Sequence, residues 1–174
     1  MSDMDKFPED EKRWYMHVGY LAQNWAAVET TLDGIIRELH MKYDGHLVEP
    51  SPPHALNRKT KYVRKVFAAH PKLQPHSSGI NSLLELTTRL AAVRHWTLHG
   101  GWVASDANSA MLKRFSRSEP MRLEGREFSI DEIFKAAKDC GSLTVSLSFF
   151  AQHAFGLITA KEINEFFRKL AGES

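Results

Sequence analysis

The sequence predicts an all-α protein, an up-and-down helical bundle of about five helices with a short hairpin or irregular insertion after the third helix. Three observations predict it. Apolar residues recur at helical spacing from Trp14 to Leu39, and again from Ile80 to Thr97. Two capping-box pairs, Ser129 with Glu132 and Thr159 with Glu162, each open a further apolar-periodic run. Only the stretch 102–129 lacks a helical period. Residues 1–174 are read as one domain, with a flexible N-terminus over 1–8 and an insertion over 102–129.

The first helix runs from about Glu9 to Met41. Its stripe is Trp14, Val18, Leu21, Trp25, Val28, Leu32, Ile35 and Leu39, alternating steps of 4 and 3. Acids in its first turn suit the helix dipole. Tyr43-Asp44-Gly45 and Pro50-Ser51-Pro52-Pro53 punctuate the chain. A second, shorter helix follows from about Asn57 to His70, with Val63, Val66 and Phe67 inward and a basic run outward. Ser77 or Ser78 is positioned to cap the third helix. Leu83, Leu86, Leu90, Val93 and Thr97 form its expected inner stripe, widened by Ile80 and Leu84. Gly100-Gly101 stop it, with Gly100 suited to a left-handed C-terminal cap. In the insertion, Met111–Arg117 and Met121–Glu124 read as one or two short strands, and Asp106–Ser109 as a loop. The fourth helix opens at Ser129 and runs to about Ile158 on a stripe of Ile133, Ala137, Cys140, Leu147, Ala151 and Ala154, with Gly141 a place to kink. The last helix carries Ile163, Phe166, Phe167 and Leu170.

The composition, 43% apolar and 25% charged, is that of a soluble globular chain. One cysteine, Cys140, excludes an internal disulfide and fits a reducing compartment, so a cytoplasmic location is expected. The N-terminus is acidic and polar rather than a signal peptide, and no apolar run is long enough for a membrane span. A net charge of +2 identifies no partner by itself. The bases nevertheless cluster, in Arg58, Lys59, Lys61, Arg64 and Lys65 and again in Lys113 and Arg114 on towards Arg126. Each cluster is either a solvated face or a surface that tracks phosphates.

The chemistry concentrates where the third helix ends, in Arg94-His95-Trp96-Thr97-Leu98-His99-Gly100-Gly101. Residues five apart differ by about 140° on a regular helix, so Arg94 and His99 meet only if the last turn frays or a side chain swings. His95 and His99, four apart, share a face. One permanent cation and two imidazoles suit phosphodiester cleavage without a metal. A base takes the ribose 2′-hydroxyl proton, an acid protonates the leaving oxygen, and a fixed cation stabilises the phosphoryl charge. Histidine serves both proton transfers near neutral pH, and arginine grips phosphate in bidentate fashion.

Arg94-His95-Trp96-Thr97-Leu98-His99 resembles the signature of HEPN-domain ribonucleases, an arginine followed after four to six residues by a histidine. His95 fits the polar position that follows the family's arginine, and Trp25-Ala26-Ala27-Val28-Glu29 resembles its first helix with a buried acid. The resemblance covers about Glu9 to Leu170. It implies a helical, dimeric protein whose two motifs meet across the interface in one composite RNA-cleaving site. The implied cleavage is metal-independent and leaves a 2′,3′-cyclic phosphate. Arg94, His99 and His95 become the expected catalytic residues, with no cofactor and no metal. RNA, a second copy of the chain and an antitoxin or regulatory protein become the expected partners, and a toxin or defence effector the expected role. In a subset of the family a tyrosine stands two residues after the histidine and is modified by its antitoxin. Here that position is Gly101, which argues against that kind of pairing.

Other readings of the same residues stand beside this one. Arg94 and His99 could form a polar pair that caps a helix, and the protein could be a non-catalytic dimeric module that binds RNA, a nucleotide or a protein. His95 and His99 have zinc-ligand spacing, but no Glu follows His95 and no Cys or Asp cluster is near in sequence. Glu29 near the core stripe is either a structural salt-bridge partner or a supporting residue that orients Arg94 or His95. Trp96 and Trp102 flank the motif as the better candidates to stack on bases, although core packing is the stronger reading for each. Cys140 reads as inert packing.

Overall fold

The computed structural model describes residues 8–105, 108–116, 119 and 121–170. Expectations for the N-terminal seven residues, and for Asp106, Ala107 and Arg117 in the insertion, lie outside the described residues. Six α-helices and a three-stranded sheet follow in the order α1 (Glu9–Lys42), α2 (Gly45–Val48), α3 (Leu56–Ala69), α4 (Ser77–His99), β1 (Gly101–Ser105), β2 (Ser109–Phe115), β3 (Leu123–Ser129), α5 (Ile130–Ala154) and α6 (Ala160–Leu170). A 3₁₀ turn, Gln74–His76, leads directly into α4. The protein is therefore mostly helical but not all-α, because the insertion is a regular antiparallel sheet in the order β1-β2-β3.

The chain divides into two compact units, residues 1–28 with 87–142, and residues 29–86 with 143–174. The long helices α1, α4 and α5 each contribute to both. In the first unit, Trp14, Leu21, Trp25 and Val28 of α1 are buried along with Leu90 and with Ile133, Ala137 and Cys140 of α5. The sheet adds Ala110, Leu112 and Phe128. In the second unit, Leu32, Ile35, Ile36 and Leu39 continue the α1 stripe and are buried along with Tyr62, Val66 and Phe67 of α3, Ile80 and Leu84 of α4, and Leu147 of α5.

The α1 stripe is buried as its spacing predicts, except that Val18 is only half-buried. The inner face of α4 is rotated from the predicted row. Ile80, Leu84, Thr87, Leu90 and Thr97 are buried, whereas Leu83, Leu86 and Val93 are half-buried. A reading by apolar type misses this because Thr87 stands in the buried row, while Thr97 is buried as expected. Ser77 does not cap α4, since the 3₁₀ turn already supplies helical geometry. Its hydroxyl donates instead to the Phe67 carbonyl at 3.2 Å.

The left-handed cap lies at the end of α5 rather than at Gly100. Gly156 has φ 72° and is the one glycine among the described residues in that region. The Leu157 N–H donates to the Gln152 carbonyl at 2.8 Å and the Gly156 N–H to that of His153 at 3.0 Å, a Schellman pattern that ends α5 at Ala154. Gly141 leaves α5 unbroken. At the start of α5 the Glu132 N–H donates to Ser129 Oγ at 3.0 Å, and the Glu132 carboxylate turns to Arg126 at 2.8 Å.

The cap of α6 is reciprocal. The Thr159 N–H donates to the Glu162 carboxylate at 2.7 Å, and the Glu162 N–H donates to Thr159 Oγ1 at 3.3 Å. The backbone and hydroxyl of Thr159 stabilise the ionised acid and hold its pKa below the ordinary 4.5. A carboxyl depressed in the folded state stabilises above its unfolded value, and that contribution is lost as pH falls through the folded one. Amide exchange at Ile163 and Asn164 is expected to accelerate as pH drops below about 4.5, beyond the intrinsic pH effect measured in Glu162→Gln. An identical profile in that variant would contradict the cap.

Candidate active site

The end of α4 is shaped by its contact with the sheet. The Gly100 N–H donates to the Trp96 carbonyl at 2.8 Å, closing the last turn. A Cβ at Gly100 would lie 2.6 Å from that carbonyl oxygen and 3.1 Å from Leu112 Cβ of β2. The glycine is needed for close approach, not for a positive φ. The chain passes straight into β1, where Gly101 pairs with Lys113 and Trp102 with Leu112. One turn earlier, the buried Thr97 hydroxyl lies 3.2 Å from the Val93 carbonyl and 3.1 Å from that of Arg94, so its polar group is satisfied within the helix.

Arg94 and His99 meet on this closed turn. Arg94 Nη1–H donates to His99 Nε2 at 3.0 Å. The helix stays regular through His99, so the arginine's length, rather than fraying, bridges the angular gap. The His95 and His99 rings lie 4.9 Å apart with 52° between planes, as their shared face predicts. Arg94 is half-buried and His99 exposed. Arg94 Nε is buried without a hydrogen-bond partner, and no carboxylate pairs with this guanidinium among the described residues. A half-buried cation with an unmet donor and no counter-charge is an anion site in waiting.

The sheet places a second arginine near the same helix end. The Arg114 guanidinium lies 3.8 Å from the centre of the Trp96 ring, with only a loose 3.7 Å ion pair to Glu124. Its Nε is also buried and unpartnered. This stack was legible only if β2 was read as a strand, because alternation then puts Arg114 on the inward face of Ala110 and Leu112. Lys113, on the opposite face, is exposed. Trp102 packs against Trp14 and Tyr15, with ring centres 5.5 and 5.4 Å away, and Trp96 lies under Arg114. Core and cation–π packing thus account for both tryptophans.

The other basic cluster belongs to the second unit. Lys61 and Lys65 are exposed and Arg64 is half-buried. Arg58 pairs with Glu49 at 2.9 Å. Lys59 is buried against Asp33, which commits its ammonium to a carboxylate. Glu29 is also in the second unit and half-buried. Cys140 is fully buried, and burial pushes its thiol up to about 11, so it stays protonated and unreactive near neutral pH. Among the described residues no three His, Cys, Asp or Glu side chains are placed to hold a metal ion.

No family model, curated protein or solved structure matches the chain.

Gly100→Ala forces the closed turn and β2 apart and is expected to destabilise the protein by about 1–3 kcal/mol. Gly101→Ala, whose Cβ would meet only the Lys113 carbonyl at an ordinary 3.5 Å, is expected to cost clearly less. Urea unfolding of both variants checks the difference, and equal midpoints would contradict the tight junction.

Proposed function

We propose that this chain is a metal-independent endoribonuclease acting as a homodimer, in the role of a toxin or defence effector. The observation that carries the reading is the Arg94 guanidinium, half-buried and without a carboxylate partner among the described residues, 3.0 Å from the His99 imidazole at the closed end of α4. The resemblance of this segment to the HEPN signature supports the same reading. Arg94 grips the scissile phosphate. The 2′-oxygen bonds to phosphorus as the bond to the 5′-oxygen breaks, leaving a 2′,3′-cyclic phosphate and a 5′-hydroxyl. His99 moves one of the two protons, from the 2′-hydroxyl or to the leaving oxygen, and its copy in the second subunit moves the other. His95, its ring against His99, orients or assists it. Glu29 is kept as a supporting residue.

Lys113, Arg114, Lys61, Arg64 and Lys65 are assigned to phosphates along the RNA, whereas Lys59 and Arg58 already face carboxylates. An antitoxin or regulatory protein is the partner such a role requires. A reducing, cytoplasmic setting fits the single buried thiol. No helix among the described residues is long and apolar enough to cross a membrane.

One observation favours the second reading, a non-catalytic dimeric binding module. Arg94 and His99 satisfy each other within one chain, as a purely structural pair would. Cleavage of RNA in excess EDTA by wild-type protein, Arg94→Ala and His99→Ala separates the two. The ribonuclease predicts cleavage that survives EDTA and falls about 100-fold or more in each variant, both still folded by thermal melting. Folded wild-type protein that binds RNA without cutting it would establish the module. Activity lost in EDTA alone would point to a metal at His95 and His99.

A further inference from the structure

The contact between Arg94 and His99 restricts the protonation of both side chains. Arginine carries five N–H donors, no acceptor and a permanent proton. In the 3.0 Å contact the acceptor is therefore His99 Nε2, which must be unprotonated, and the imidazole proton sits on Nδ1. A neutral imidazole has one basic lone pair, and here Arg94 occupies it. The nitrogen that would take a proton from a 2′-hydroxyl is masked in the free chain. The same side-chain position leaves Arg94 Nε buried with no acceptor, an unmet donor that costs free energy. The guanidinium is thus held by a neutral acceptor at one end while a second donor goes unused.

A phosphodiester oxygen is a stronger acceptor than a neutral imidazole nitrogen, because the hydrogen bond to it is charge-assisted. We propose that Arg94 and His99 form a substrate-released latch: Arg94 holds the His99 lone pair in the free protein and exchanges it for a phosphodiester oxygen of bound RNA, which frees Nε2. The exchange breaks one N–H···N hydrogen bond and forms N–H···O bonds to the phosphate; the released ring keeps its single proton and interconverts between the Nδ1–H form, whose Nε2 lone pair is the base, and the Nε2–H form. Turning the guanidinium outward also removes Nε from its unpaired position. His99 is exposed at the end of α4, so its ring is free to move once released. Arg94 then has two roles, phosphate clamp and restraint on the base. The purpose of the latch rests on the ribonuclease reading, but its measurement does not.

The test is the long-range ¹H–¹⁵N spectrum of the His99 imidazole in the full-length protein, assigned with His99→Asn. The free wild-type protein is expected to show the Nδ1–H tautomer, against the Nε2–H form that free histidine favours. A 2′-deoxy dinucleoside monophosphate, a phosphodiester without the hydroxyl needed for cleavage, is expected to shift the Nε2 signal and to bring the Nε2–H form into exchange with the Nδ1–H form. Arg94→Met is expected to show that exchange without ligand. A wild-type His99 already in the Nε2–H form would overturn the latch, even if Arg94→Met failed to fold. So would His99 signals that stay unmoved at millimolar phosphodiester, whether through no binding or through binding elsewhere. A protein with the Nδ1–H tautomer that cuts no RNA would refute the ribonuclease and leave the latch standing, and an active enzyme with Nε2–H His99 would do the reverse.

Discussion

The site depends on how tightly α4 ends. Gly100 is pressed between the Trp96 carbonyl behind it and Leu112 Cβ of β2 beside it, with no room for a side chain. That contact closes the last turn, sends the chain into β1 without a loop, and brings β2 close enough for Arg114 to cover Trp96. It also fixes His99 as the final residue of a regular helix, where Arg94 can reach it. A looser helix end, with a loop before the strand, would let His99 drift and would leave the arginine in water. The sheet, which looks in sequence like an interruption of a helical protein, is the wall against which this helix end is packed.

Electrostatics decides what such a site can do. Most cations of this chain that face an acid are satisfied by it, as Lys59 by Asp33 and Arg126 by Glu132 are. Arg94 differs, since among the described residues its side chain bonds only an imidazole, which can accept only while neutral. A permanent charge next to a titratable base, with no acid among the described residues to neutralise it, favours an incoming anion over an incoming cation. It also sets the problem that the latch answers, because a cation near enough to grip a phosphate is near enough to occupy the base.

Much of this was legible in the sequence, and the misses have physical causes. The stripes of α1 and α5 and the pair of residues that caps α6 were readable because spacing and cap chemistry are local. The inner face of α4 is offset from the expected row because the buried Thr87 looks polar by type although a helix can absorb its hydroxyl, whereas Thr97 is buried as expected. The left-handed glycine was assigned to Gly100, whereas Gly156 holds that conformation and Gly100 answers a packing demand made by a strand distant in sequence. β1 went unread because it begins directly at the helix-stopping glycines. Within the site, the grouping of Arg94, His95 and His99 was readable, but its geometry was not. A helical wheel separates Arg94 from His99, and only the arginine's length joins them. The Arg114–Trp96 stack joins positions that only the sheet brings together.

The central claim is that this helix end cleaves RNA through the neighbouring ribose hydroxyl, with protein side chains alone moving the protons. The most direct measurement uses the substrate: an RNA oligonucleotide and its 2′-deoxy counterpart are incubated with the protein in EDTA, and the product ends are read by mass spectrometry. The account predicts that the RNA is cut to fragments ending in a 2′,3′-cyclic phosphate and that the deoxy strand stays intact. Cleavage of the deoxy strand, or RNA fragments bearing 5′-phosphates, would contradict it.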